Sequence, residues 1–168
     1  MNVSALLLEL FGRIPPLADD AVRGLDARQL AEAPGDGANP IGWLVWHLTR
    51  VADSHLAEIV ADQQVWEADG WAARFALSPD PGNTGYGHSP DQVAAVRPDS
   101  ADALLAYLAA VDARTRRFLS GVADGDLDRI VDRNWDPPVT LGVRLVSIAD
   151  DCLQHAGQAN YARGLLGY

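Results

Sequence analysis

The sequence predicts an all-α protein, a four-helix bundle in one domain over residues 1–168, with a long irregular loop between the second and third helices. Three observations carry this. Apolar residues recur at three- and four-residue spacing in four long stretches, the mark of helices that bury one face. Clusters of Gly and Pro separate these stretches, and no segment alternates apolar and polar residues strongly enough to imply a sheet. A chain of 168 residues can bury a substantial core unaided, and its single cysteine, Cys152, excludes an internal disulfide framework.

In the first stretch, Leu6, Leu7, Leu10, Phe11, Ile14, Leu17, Val22 and Leu25 hold helical phase straight through Pro15-Pro16, which predicts one helix kinked at the prolines. Ala33-Pro34-Gly35-Asp36-Gly37 breaks the chain. Asn39 then reads as an N-cap with Pro40 at the first helical position, and Ile41, Leu44, Val45, Leu48, Val51, Leu56 and Ile59 carry a second helix to about residue 61. His47 lies in its middle, on or beside the buried face. A short amphipathic piece from Val65 to Phe75 precedes a loop over residues 76–99. There Pro79, Pro81, Gly82, Gly85, Gly87, Pro90 and Pro98 rule out regular structure beyond a helical turn at Pro90–Ala95. Ser100 caps a third helix with Leu104, Leu105, Leu108, Val111, Thr115, Phe118 and Leu119 inside. Arg114, Arg116 and Arg117 fall near its C-terminus, where positive charge is favoured. Gly121–Asp126 is a second break and Leu127–Val139 reads as extended or irregular. Thr140 caps a last helix to about Leu166, roughly 40 Å long. Its inner stripe is Leu141, Leu145, Ile148, Cys152, His155, Ala159 and Ala162, and the small residues Ala156, Gly157 and Ala159 admit a close neighbour helix.

The composition excludes several function classes. All 13 basic residues are Arg, so Schiff-base chemistry on lysine and a phosphate-binding P-loop are both out. A net charge of −10 with no basic run argues against nucleic acid as a partner. No charged start leads into a long apolar run, and no stretch reaches the length of a membrane span, so a cytoplasmic protein without signal peptide or membrane partner is expected. Abundant Ala, Gly, Pro and Arg without Lys is what a GC-rich bacterial genome encodes.

Chemistry is suggested by Asp151 and His155. Four residues apart on a helix, their side chains lie one above the other on one face, as two metal ligands would. A catalytic metal needs about three protein ligands and an open position, and His47 on a facing helix is the candidate third. Two imidazoles and a carboxylate serve both open-site zinc enzymes and the facial triad of nonheme Fe(II), so the set does not name the metal. On spacing alone, the Asp151/His155 pair reads more readily as a hydrogen-bonded structural pair than as ligands, and His47 as a satisfied buried histidine.

The stretch Asn39-Pro-Ile-Gly-Trp-Leu-Val-Trp-His47-Leu-Thr-Arg50, followed by Asp151-Cys-Leu-Gln-His155-Ala-Gly-Gln158 and Arg163, resembles the DinB superfamily. Within it the likeness is to the DUF664 group and to the N-terminal metal-binding domain of mycothiol-dependent maleylpyruvate isomerases. The resemblance implies a DinB/YfiT-like four-helix bundle holding a divalent metal through His47, Asp151 and His155, with zinc the first expectation and nickel or iron compatible. Many DinB-like proteins have His at the first of the two last-helix positions. The isomerase-like branch has a carboxylate there, a Glu where this chain has the shorter Asp151. The isomerases also use a second domain, and this chain ends at Tyr168, so their own reaction is not carried over. The implied chemistry is thiol activation. The metal holds a low-molecular-weight thiol, such as mycothiol, as its nucleophilic thiolate, which attacks an electrophilic small-molecule substrate.

Other residues invite roles beside these. His88, in Gly85-Tyr86-Gly87-His88-Ser89, is the loop residue expected to act as acid, base or substrate contact, against a solvated loop histidine. Gln158 and Arg163 are expected to line the cofactor pocket or bind a substrate carboxylate, Arg163 being equally explained by its place near a helix C-terminus. His55, two turns beyond His47, is too far along the axis to complete the site, and Cys152 reads as a small core residue. Trp43, Trp46, Trp66, Trp71 and Trp135 are expected to pack, with one or two bordering the pocket or a homodimer surface. The leading expectation is a thiol-dependent transferase or isomerase. The alternatives are a metal-dependent hydrolase using bound hydroxide, or a noncatalytic stress-response binding module.

Overall fold

In the computed structural model, which describes residues 1–168, Pro15 and Pro16 end one helix and begin another. A proline inside a helix lacks the N–H of its own turn and collides with the carbonyl four residues back, whereas in a first turn neither matters. Helix α1 (Val3–Phe11) accordingly stops at Gly12, and α2 (Ile14–Val22) opens with both prolines in its first turn. The single kinked helix expected from the apolar phase is thus two helices. The phase survives because Leu7, Phe11, Ile14, Ala18 and Val22 are all buried.

Helix α3 (Ala27–Leu30) is one turn fixed by a capping box between Asp26 and Gln29. Helix α4 (Ile41–Val60) begins one residue later than the Asn39 cap predicts. Pro40 keeps an extended ψ of 153° and its carbonyl accepts the first helical bond, from Leu44 N at 3.0 Å. The amphipathic piece after it is helix α5 (Val65–Ala68) and a 3₁₀ turn, Trp71–Phe75. Within the long loop, the expected turn is helix α6 (Pro90–Ala95), closed by a Ser89/Gln92 capping box. Helix α7 (Ala101–Leu119) is capped by Ser100, and α8 (Leu141–Leu166) by Thr140, with Gly167 at φ +76° ending it. Between α7 and α8 lies a small antiparallel hairpin absent from the sequence reading, β1 (Ile130–Asp132) with β2 (Val139–Thr140). Strands of three and two residues are too short to show alternation.

Helices α2, α8, α4 and α7 pack in a ring, each against the next, with α1 laid on α7 and the α4/α8 contact the most extensive. This is a four-helix bundle whose first helix is broken. Its interior is one cluster of 35 buried residues that includes Trp43, Trp46, Trp66, Tyr107 and Cys152. Trp135, by contrast, stands exposed on the hairpin. Ala156 and Ala159 are buried against neighbours, but Gly157 faces open space. No helix is long and apolar enough to cross a membrane.

Candidate metal centre

Helices α4 and α8 run antiparallel. Cys152 Sγ donates to Leu48 O at 3.4 Å, and two turns along the seam Arg144 meets His55. This crossing brings His47 of α4 to the Asp151/His155 face of α8, so the three ligands singled out in the sequence converge. Their candidate donor atoms all lie within 4.8 Å of one another. Asp151 Oδ1 is 3.5 Å from His155 Nε2 and 3.9 Å from His47 Nε2. Donors around a tetrahedral zinc at about 2.1 Å stand roughly 3.4 Å apart, close to these separations. The other carboxylate oxygen, Asp151 Oδ2, is buried and has no hydrogen-bond partner. A buried, unpartnered carboxylate oxygen is costly, and a cation beside it removes that cost. The donor set and the orphaned oxygen both fit a divalent metal.

The two imidazoles are oriented from behind. His47 Nδ1 lies 2.6 Å from Thr84 O, and since a carbonyl only accepts, Nδ1 carries the proton and Nε2 presents its lone pair to the site. Trp43 stacks on the same ring, with centroids 4.6 Å apart and planes 15° from parallel. His155 Nδ1 donates to Gln158 Oε1 at 2.8 Å, which turns its Nε2 toward Asp151. Protonation differs between the rings. Burial pushes His47 below the usual histidine value against the pull of Thr84 O, so it is held neutral. The hydrogen bond to Asp151 is the largest cause that raises His155, and Gln158 adds to it against the opposing effect of burial.

The remaining expected residues fall in different places. His88 lies beyond Trp43 from the ligands. Its Nδ1 accepts from Trp43 Nε1 at 3.2 Å, its Nε2 meets Asn83 Oδ1 at 2.8 Å, and its ring stacks on Trp46. Gln158 touches a ligand, His155, from the side away from the metal position. Arg163 reaches elsewhere, its Nη1 donating to Asp20 O, Ala21 O and Arg23 O at the end of α2. That is a helix C-cap between elements and accounts for its position near the C-terminus of α8. His55 packs against Arg144 and Glu58. Cys152 is buried, and burial pushes its thiol far above the ordinary range, which makes it inert.

The sequence reading missed the polar group behind the site. Arg50 and Asp53, on α4, are fully buried together with Tyr107 of α7, and from the loop Thr84 O meets His47 while Asn83 Oδ1 meets His88. A signal existed for the first pair, since Arg50 and Asp53 are oppositely charged residues three apart inside an apolar helix. None existed for Thr84, whose contribution is a main-chain carbonyl.

Comparison with known proteins agrees with this fold. A conserved protein from Enterococcus faecalis superposes with a TM-score of 0.90 at 31% identity, covering 100% of this chain and 99% of its own. YfiT from Bacillus subtilis, described as a probable metal-dependent hydrolase with an unusual four-helix bundle topology, superposes with a TM-score of 0.64 at 18% identity, over 98% of this chain and 88% of its own. No functionally curated protein matches. The DinB superfamily pattern matches residues 11–159, which include all three ligand positions, and the chain belongs to the DinB superfamily.

Proposed function

We propose that this protein binds one divalent metal, zinc before nickel or iron, through His47, Asp151 and His155, and is a thiol-dependent transferase or isomerase. The observation that carries the reading is the convergence of two Nε2 lone pairs on a carboxylate with a buried, unpartnered oxygen. A metal held there supplies a Lewis-acid position that stabilises an anionic nucleophile at neutral pH. The choice of a thiol over water rests on how little help the surroundings give. His88, the loop residue expected to serve as acid or base, has both ring nitrogens engaged by Trp43 and Asn83. A thiol with a pKa of about 8.5 needs far less activation than water at about 15.7. The rest of the substrate finds room in two adjoining grooves of 340 and 350 Å³ that share Gly37, Ala38 and Asn39. Gln158, Tyr161 and Leu165 line one of them, and His88 lines the other. In this reading Gln158 and His88 are substrate contacts.

Protein purified without chelators is expected to carry about one metal per chain, and His47→Ala and His155→Ala to lose it. Full metal content in both variants would sink the site. Calorimetry of the zinc-loaded protein with mycothiol as the probe is expected to show binding. If no thiol binds while the loaded protein hydrolyses an activated ester, the reading shifts to a hydrolase, as YfiT is described. Neither thiol binding nor hydrolysis would favour a noncatalytic binding module.

A further inference from the structure

Trp43, His47 and Gln64 each make one side-chain hydrogen bond to the irregular loop over the site, at His88, Thr84 O and Pro81 O, and Arg50 makes two. Arg50 is fully buried on α4, three residues after His47. Its Nη2 donates to Pro81 O at 2.9 Å and its Nε to Asn83 O at 3.1 Å. Behind the fork, Nη1 reaches Tyr107 OH at 3.0 Å and Asp53 Oδ2 at 3.5 Å, and the guanidinium lies 4.6 Å over the Trp66 ring. Asp53 is fixed in turn, accepting from Tyr107 OH, Val65 N and Trp66 N at 2.8–2.9 Å. Main-chain hydrogen bonds of residues 80–88 are local to the loop, such as Asn83 N to Asp80 O and Thr84 N to Gly82 O. They shape it without tying it down.

Immediately after the clamped Asn83, Thr84 O meets His47 Nδ1. The next residue, Gly85, has φ +95° and lies so close that a Cβ would sit 2.6 Å from His47 Nδ1 and 3.0 Å from the Trp46 ring. We propose that Arg50 is the positioning residue of the metal centre, gripping Pro81 and Asn83 so that Thr84 O holds His47 as its Nδ1–H tautomer with Nε2 toward Asp151 and His155. Only a planar guanidinium spans two carbonyls while stacking on an indole, which is why the position takes Arg. The consequence for metal affinity rests on the proposed metal function, but the tautomer does not.

The test therefore reads both. In metal-free protein, at a pH above the histidine titrations, ¹⁵N shifts are expected to show His47 in the Nδ1–H form, and Arg50→Met to mix the two tautomers with helix content unchanged. In the same variant Zn²⁺ affinity is expected to fall about 10- to 100-fold. Arg50→Lys should restore part of both losses. Asn83→Ala keeps the gripped carbonyl and removes only the His88 contact, so it should leave His47 as in the wild type. If Arg50→Met fails to fold, Arg50→Lys is read in the same way. An unchanged tautomer in the Arg50 variants, or an equal loss in Asn83→Ala, overturns the proposal. Failure of the wild type to bind Zn²⁺ would count against the metal reading and leave the tautomer result to judge Arg50.

Discussion

Arg144 Nη1 stands 3.3 Å from both ring nitrogens of His55, two helical turns along the α4/α8 seam from the ligands. Burial is the larger cause and the Arg144 charge the second in lowering the pKa of His55, while Glu58 and, more weakly, Asp151 pull it up. The folded value lies below the 6.5 of the unfolded chain, so as pH falls through 6.5 the unfolded state takes up the proton first. Stability contributed by neutral His55 is therefore present above pH 6.5 and declines below it, until the folded form is protonated as well. His55→Asn removes this response, and the melting temperature of the variant should fall less steeply with acidification below pH 6.5 than that of the wild type. His47 shifts in the same direction and keeps a residual slope. Parallel melting curves for both proteins across that window would refute the assignment. At this scale the spacing of Asp151 and His155 placed the two on one face of α8, and their convergence with His47 was legible from the motif rather than from spacing alone. Thr84 was not, because a carbonyl has no residue identity, and Arg163 misled because a guanidinium beside a suspected site looks the same whether it meets a substrate or a helix end.

The elements were read well where a side chain marks the boundary and poorly where backbone geometry decides. Ser100 and Thr140 cap α7 and α8 as their sequences predict, whereas the apolar phase through Pro15-Pro16 concealed a break that only the missing N–H groups explain. Two glycines illustrate the same division. Gly42, in the first turn of α4, approaches the end of α3 so closely that a Cβ would lie 2.8 Å from Leu30 O and 2.8 Å from Pro98 Cγ. Alanine there gains about 1 kcal/mol of helix propensity but incurs about 1–3 kcal/mol of overpacking against main chain that cannot move aside. At Gly157 of α8 the added Cβ meets nothing within 4 Å, and only the propensity gain remains. Gly157→Ala should therefore raise the melting temperature by about 2–4 °C, and Gly42→Ala should lower it. Thermal unfolding followed by circular dichroism decides the matter, and a rise at Gly42→Ala like that at Gly157→Ala would contradict the close approach of α3 to α4.

In the whole molecule the proposed metal would act as a staple. Its ligands come from α4 and α8, the helices with the most extensive contact, and they are separated by about a hundred residues of chain that includes the long loop, α7 and the hairpin. An ion bound only when these helices are assembled stabilises the folded state by mass action, by about 2.7 kcal/mol at a hundredfold excess over its dissociation constant. At about 2–4 °C per kcal/mol for a chain of this size, that is roughly 5–11 °C in melting temperature. The staple also answers a local cost, since without it the buried Asp151 Oδ2 has no partner. The metal-free wild type should therefore gain melting temperature progressively as Zn²⁺ is added, with the gain following the logarithm of its free concentration once the site is filled. His47→Ala should show no such gain, because the two donors left, Asp151 and His155, both lie on α8 and do not hold the ion on their own. A Zn²⁺-dependent rise of equal size in His47→Ala would mean that the ion acts within α8 alone, and the cross-bundle site would have to be abandoned.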